Sequence, residues 1–327
     1  MMIDSHSRKI DYLRISLTER CNLRCRYCMP EEGVEDVGHN RVLTLEQIFR
    51  LVRAATQVGF HKVRLTGGEP LVRKNIVKLI ADIAGLPEID NISITTNGIL
   101  FADMAEDLKS AGLKRVNFSL DSLVSEKVSY ITRGGQLADV QRAIFKALEL
   151  EMHPVKLNVV AIRGFNDDEI LDIAQLAYAY PLHVRFIEFM PIGDLSFYSP
   201  EKFISIDEIR AKIEQKYELL KGKDIMGSGP AKYYNIVGGQ GSVGLISPIS
   251  HHFCDKCNRI RLTADGRLRS CLYDSKEIDL KLALLNCSND EQLLKLFTKA
   301  IETKPGRHQM QEGWGTENRR KMFQIGG

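Results

Sequence analysis

The chain has 327 residues, with 45 Lys and Arg against 42 Asp and Glu, a net charge of +3. That balance is too small to argue for a nucleic-acid partner, so any pull on an anion must come from local clusters of basic residues. At 44% hydrophobic and 27% charged residues the composition is that of a globular protein able to bury a barrel-sized core, and no apolar run has the length that spans a bilayer.

In chain order, short β-branched runs alternate with helical patterns. Strands are predicted at Ile10–Leu17, Lys62–Thr66, Ile92–Asn97, Arg115–Asp121, Val155–Ile162 and His183–Met190. Helices are predicted at Leu45–Gln57, Ile76–Ala84, Ala102–Ala111, Val140–Leu150 and Asp168–Tyr178. Such alternation implies an α/β fold with a parallel sheet and helices outside, a partial (β/α)6 TIM-like barrel. Past Pro191 the pattern changes. Pro, Gly and Ser thicken at Ser196–Pro200 and Gly222–Gly229, and Lys232–Ser247 reads as short antiparallel strands. Helical patterns near Glu277–Cys287 and Asp290–Ile301 close the chain. A boundary is therefore expected near Pro200, with a barrel over 1–200 and a smaller α+β domain over 201–327.

Strand alternation sorts side chains between the helix layer and the lumen. The apolar positions, such as Leu13 and Ile15 or Val63 and Leu65, belong to the helix layer. Arg14, Ser16, Arg64, Thr66, Thr95, Asn97, Asn117, Ser119, Lys156, Asn158 and Arg185 then face inward. Four cations in a lumen that is ordinarily apolar need an anionic ligand or open water. The competing reading makes some of these strands edge strands whose cations face solvent.

The seven cysteines cluster at metal-ligand spacings, not as a disulfide framework. The start of the chain carries no signal-peptide apolar region, so a reducing cytoplasm is expected. Cys21-x3-Cys25-x2-Cys28 follows the first strand, and Gly67-Gly68-Glu69-Pro70 follows the second, where barrel enzymes place their chemistry. Three thiolates leave one iron of a cubane cluster without a protein ligand. The segment from Thr18 to Cys28 resembles the radical S-adenosylmethionine (SAM) enzymes. The resemblance implies that the methionine part of SAM chelates that iron, and that reductive cleavage yields a 5′-deoxyadenosyl radical. It further implies SAM contacts at Tyr27, Gly68, Ser119 and Met190; for Met190, strand parity requires a bend or bulge near Glu188.

A second triplet, Cys254-x2-Cys257-x13-Cys271, is compatible by spacing alone with a zinc site completed by His251 or His252. Its surroundings, from Phe253 through Arg259-Ile260-Arg261 to Cys271-Leu272, resemble the GTP 3′,8-cyclase family of molybdenum cofactor biosynthesis, as does the terminal Gly326-Gly327. That likeness implies a second 4Fe–4S cluster on Cys254, Cys257 and Cys271 whose open iron meets the purine of GTP. It places Arg259, Ile260 and Arg261 on GTP with Arg14, Arg64, Thr95 and Lys156, and sends the C-terminal tail into the cavity. Arg185 joins this set by parity, and Lys62 and Arg269 are further candidates for which solvent exposure is expected. Cys287 reads as a buried apolar thiol, and His61, His153 and His183 as structural.

The implied reaction removes the ribose 3′ hydrogen of GTP and joins that carbon to C8 of guanine, giving 3′,8-cyclo-7,8-dihydro-GTP after reduction. An external one-electron donor is implied, and cyclic pyranopterin monophosphate synthase would receive the product. No membrane partner is expected, and a homodimer is compatible with the sequence. The rival readings are a peptide-modifying radical SAM enzyme with an auxiliary cluster, and an iron–sulfur carrier or zinc-stabilised module.

Overall fold

Six strands form in the order expected. They are β1 (Tyr12–Ser16), β2 (Lys62–Thr66), β3 (Asn91–Thr96), β4 (Arg115–Ser119), β5 (Val155–Ala161) and β6 (Leu182–Glu188). Between them run α1 (Leu45–Gln57), α2 (Ile76–Ala84), α3 (Phe101–Ser110), α4 (Ser125–Thr132), α5 (Leu137–Glu149) and α6 (Ile170–Ala179). The computed structural model describes residues 2–34, 41–192, 195–222, 229–286, 289–309 and 320–326. The expectation for Cys287, and half of that for Gly326-Gly327, thus fall on residues outside the described ones.

Local chemistry explains the helices. Thr44 caps α1 reciprocally with Gln47: its Oγ accepts from Gln47 N at 3.2 Å, while Gln47 Oε1 accepts from Thr44 N at 2.9 Å. Ile48, Leu51, Val52 and Ala55 then share the buried face of α1. Helix α4 was not expected; only Val128 and Ile131 of its eight residues are buried, too few for a visible period.

The second part of the chain supplies α7 (Ile206–Glu214), β7 (Leu219–Lys221), β8 (Lys232–Ile236), β9 (Ser242–Ile246), β10 (Arg259–Leu262), β11 (Arg267–Arg269) and β12 (Ile278–Asp279). It ends in α8 (Leu280–Asn286), α9 (Glu291–Glu302) and α10 (Met322–Ile325). All twelve strands belong to one sheet, ordered β12-β11-β10-β1-β2-β3-β4-β5-β6-β9-β8-β7. The antiparallel hairpin read over 232–247 exists as β8 and β9, but β9 also runs parallel to β6. At the other edge β10 runs parallel to β1, so C-terminal strands extend the barrel sheet on both sides.

The apolar strand positions behave as alternation requires. Leu13, Ile15, Val63, Leu65, Phe118 and Phe186 are buried in one core cluster beneath the helices. Among the described residues no helix is long and apolar enough to cross a membrane.

Candidate active site

Of the inward positions, Arg14, Arg64, Thr95, Asn158 and Arg185 line one cavity with Met190, Arg259, Arg261, Cys254, Cys257 and Cys271, whereas Lys156, Asn117 and Ser119 do not line it. None of the described residues lining it is an Asp or Glu. Arg14, Arg64, Arg185 and Arg261 are all buried. Arg64 Nε donates to Ser93 Oγ at 3.2 Å and Arg185 Nη2 to Asn117 Oδ1 at 2.7 Å, so neutral groups aim these cations. Lys156 is also buried, with Nζ 5.5 Å from the centre of the Tyr233 ring. Burial, reinforced by Arg185 and Arg64, pulls the Lys156 amine down to about 6. Burial and Arg259 pull Arg261 down to about 9. Thr95 Oγ1 and Asn158 Oδ1 are buried without a hydrogen-bond partner among the described residues. Polar atoms left this way call for a ligand, and the cations around them call for an anionic one.

Ile260 is buried in the core cluster, as its alternation with Arg259 and Arg261 requires, so its side chain stands away from the cavity that those two line. Two expectations of solvent exposure change. Arg269 is not exposed but fully buried, its Nη1 2.6 Å from Glu277 Oε1. Lys62 is half-buried and paired with Asp11 at 2.9 Å.

The first cysteine loop leaves β1 and lies on the glycine run after β2. Gly68 N donates to Thr18 O at 2.8 Å, and Glu69 N to Arg20 O at 2.9 Å. A Cβ on Gly68 would stand 2.4 Å from Arg20 O and 2.7 Å from Glu19 O, so glycine is demanded by the cysteine loop itself. Glu69 accepts from Asn97 N at 2.7 Å, Thr96 Oγ1 at 2.8 Å and Leu71 N at 3.0 Å, while burial pushes its carboxyl up to about 7.

Tyr27 donates its hydroxyl to Asp121 Oδ2 at 2.7 Å, and Val160 N donates to Asp121 Oδ1 at 2.9 Å. Burial holds that carboxyl up at about 6. Ser119 lines a second, smaller cavity with Cys25, Tyr27, Asn97 and Asp121, whereas Met190 lies in the main one. The bend required for Met190 is present: β6 ends at Glu188, and Phe189 turns into a separate aromatic cluster. Alternation turned Asn97 inward as expected, but Asp121 was not singled out from sequence, because its part depends on where the cysteine loop folds back.

The two triplets differ in charge environment. Burial raises the thiols of Cys21 and Cys25, and pushes Cys28 up to about 12. At Cys257 burial also acts upward, but Arg259 and Lys304 outweigh it and hold the thiol at about 6. A single tetrahedral zinc would draw its sulfurs to within about 4 Å of one another. Among the described residues, the group spaced for one ion, with ligand atoms within 4.8 Å, is His252, Cys254 and His308, not either cysteine triplet. His251 is turned away, with Nε2 2.7 Å from Asp207 Oδ2. Neither cysteine triplet is drawn together tightly enough for a single tetrahedral ion.

Comparison with known proteins places these features. Residues 15–177 match the Radical SAM superfamily, and residues 182–310 match Molybdenum Cofactor Synthesis C. The GTP 3′,8-cyclase of Syntrophomonas wolfei subsp. wolfei is 62% identical over 326 residues, covering 100% of both chains. That of Desulforamulus reducens is 55% identical over 327 residues, again covering 100% of both. Among solved structures, Streptococcus suis SuiB superposes with a TM-score of 0.59 at 15% identity, covering 94% of this chain and 68% of that one, a likeness of fold alone. Identity of this order along the whole length has one reading: the chain belongs to the GTP 3′,8-cyclase family of radical SAM enzymes, which work through a 4Fe–4S cluster and SAM.

Proposed function

We propose that this protein is a GTP 3′,8-cyclase that converts GTP into 3′,8-cyclo-7,8-dihydro-GTP, the first step towards the molybdenum cofactor. The observation that carries this reading is the buried cationic cavity, lined by no carboxylate among the described residues and bounded by the second cysteine triplet. Cys21, Cys25 and Cys28 would hold the first cluster; when bound, it and SAM supply the acceptor for the ribose 3′ hydrogen, which leaves on 5′-deoxyadenosine. Gly68 and Ser119 border SAM, with the Tyr27 backbone and Met190 beside it. Glu69, buried yet within reach of neutral pH, suits the amino group of the methionine moiety.

Arg14, Arg64, Lys156 and Arg185 hold the triphosphate, for which several cations are needed because charge-assisted bonds are strong and directional. Arg259 and Arg261 fix the nucleotide beside Cys254, Cys257 and Cys271, which would carry a second 4Fe–4S cluster facing the guanine. The residues thus act by positioning: C3′ and C8 must be kept in near-attack geometry while water is excluded. An external donor supplies the electron that completes the reduction, and a downstream synthase takes the product.

The test is anaerobic incubation of the reconstituted enzyme with dithionite, SAM and GTP. Formation of cyclised nucleotide alongside 5′-deoxyadenosine is the expected result. If 5′-deoxyadenosine forms without any cyclised nucleotide, the substrate assignment fails. Iron and acid-labile sulfide should each approach about eight per chain; about four of each would strike out the second cluster.

A further inference from the structure

The last described residues return to the sheet through an ionic socket. Arg320 Nε donates to Glu277 Oε1 at 2.5 Å, and its Nη2 donates to Glu277 Oε2 and Asp265 Oδ2, each at 2.8 Å. Isolated surface ion pairs contribute little, but this one is a fork on two carboxylates, and the Arg320 side chain is only 18% exposed. Both carboxylates are themselves fixed. Glu277 is paired with buried Arg269, and Asp265 accepts from Thr263 Oγ1 at 2.5 Å.

Immediately after Arg320 comes α10, a single turn too short to be stable alone. Yet its neighbours are those of the site. Met322 lines the cationic cavity, Phe323 and Ile325 are buried, and the Phe323 N–H reaches the Cys28 sulfur. Gly326 accepts a hydrogen bond on its carbonyl from Arg261 Nη1. A Cβ on Gly326 would stand 3.0 Å from Thr66 Cγ2 and 3.3 Å from Ser16 Cβ, at the ends of β2 and β1.

We infer that Arg320 is a positioning residue: seated between Glu277 and Asp265, it holds the C-terminal turn against Cys28 and Arg261 and so completes the wall of the substrate cavity. This deepens the function proposed above and rests on it. The two carboxylates that hold the turn lie between strands, Asp265 in the turn from β10 to β11 and Glu277 just before β12, and neither lines the substrate cavity. Releasing the turn should therefore loosen the site without removing any group that touches GTP or SAM.

The experiment compares the holoenzyme with its Arg320→Ala, Arg320→Lys and Asp265→Asn variants, each prepared anaerobically. Carboxypeptidase trimming of the C terminus, followed by intact mass, should run roughly tenfold faster in Arg320→Ala, the loss expected of a charge-assisted fork. KM for GTP should rise with it, and cyclised nucleotide per 5′-deoxyadenosine should fall. Arg320→Lys, which keeps the charge but not the fork, and Asp265→Asn should lie between wild type and alanine on all three readouts. Trimming and product ratio equal to wild type in Arg320→Ala overturn the inference, as does lowered thermal stability with both unchanged. Should the alanine variant fail to fold, Arg320→Lys decides: trimming at the wild-type rate overturns the inference. A wild-type enzyme that makes no cyclised nucleotide strikes the functional reading instead, while trimming alone still shows whether Arg320 holds the turn.

Discussion

Lys156 turns burial into a measurable quantity. Its amine is held down to about 6, so at pH 7 it is largely neutral until an anion comes close. A bound triphosphate restores the charge, so binding takes up a proton. Between the lowered value and the ordinary lysine value near 10.4, affinity must then fall as pH rises, by up to about tenfold per unit. Calorimetry of GTP binding from pH 6 to 8, in two buffers of different ionisation enthalpy, should show weakening affinity and uptake of a proton. Lys156→Met should abolish that uptake and raise KM for GTP about tenfold to a hundredfold. Gly68 gives a second test at this scale. Gly68→Ala places a methyl 2.4 Å from Arg20 O, so the cysteine loop must shift and the first cluster should be lost. Iron should drop by about half, with the second triplet still loaded. Alternation along strands made Arg14, Arg64, Lys156 and Arg185 legible as inward, and the same rule turns Ile260 outward. Asn97 was legible as inward by the same rule, but Asp121 was not, since a loop brought back from another strand creates its surroundings.

Elements meet at Glu188. This buried carboxylate ends β6 and accepts from Ile206 N at 3.1 Å, Ile249 N at 2.9 Å, Ser250 N at 3.0 Å and Ser250 Oγ. It ties β6 to the start of α7 and to the segment that leads into the second cysteine triplet. Glu188→Ala leaves several buried donors without an acceptor and should cost about 3 kcal/mol or more in urea unfolding. Parity also breaks here, which is how Met190 enters the main cavity. Helix α7 could have been found from sequence: Ser205 followed three residues later by Glu208 is a capping pattern, and Ser205 Oγ accepts from Glu208 N at 3.2 Å. The Pro- and Ser-rich run before it drew attention to a loop instead. For α4 no comparable signal was available.

At the scale of the molecule, chain order and sheet order disagree. The alternating pattern told of six strands but not of β9 beside β6 or β10 beside β1, because pairing partners so distant in sequence leave no periodic trace. A fragment of residues 1–200 would expose both β1 and β6 as bare parallel edges. Such edges pair with other chains, so the fragment should be recovered as aggregate, and a monodisperse, cooperatively melting 1–200 would contradict the shared sheet. The parallel pairing of β10 with β1 has a last consequence. Cys28 comes after β1 leaves the sheet, while Cys257 comes before β10 enters it, so the two thiolate loops sit at opposite rims. With five residues in β1, at about 3.3 Å apiece, the strands act as a gauge block of roughly 17 Å. Adding a residue pair to both strands would push the rims about 7 Å further apart, and a nucleotide of fixed size could no longer reach from one to the other.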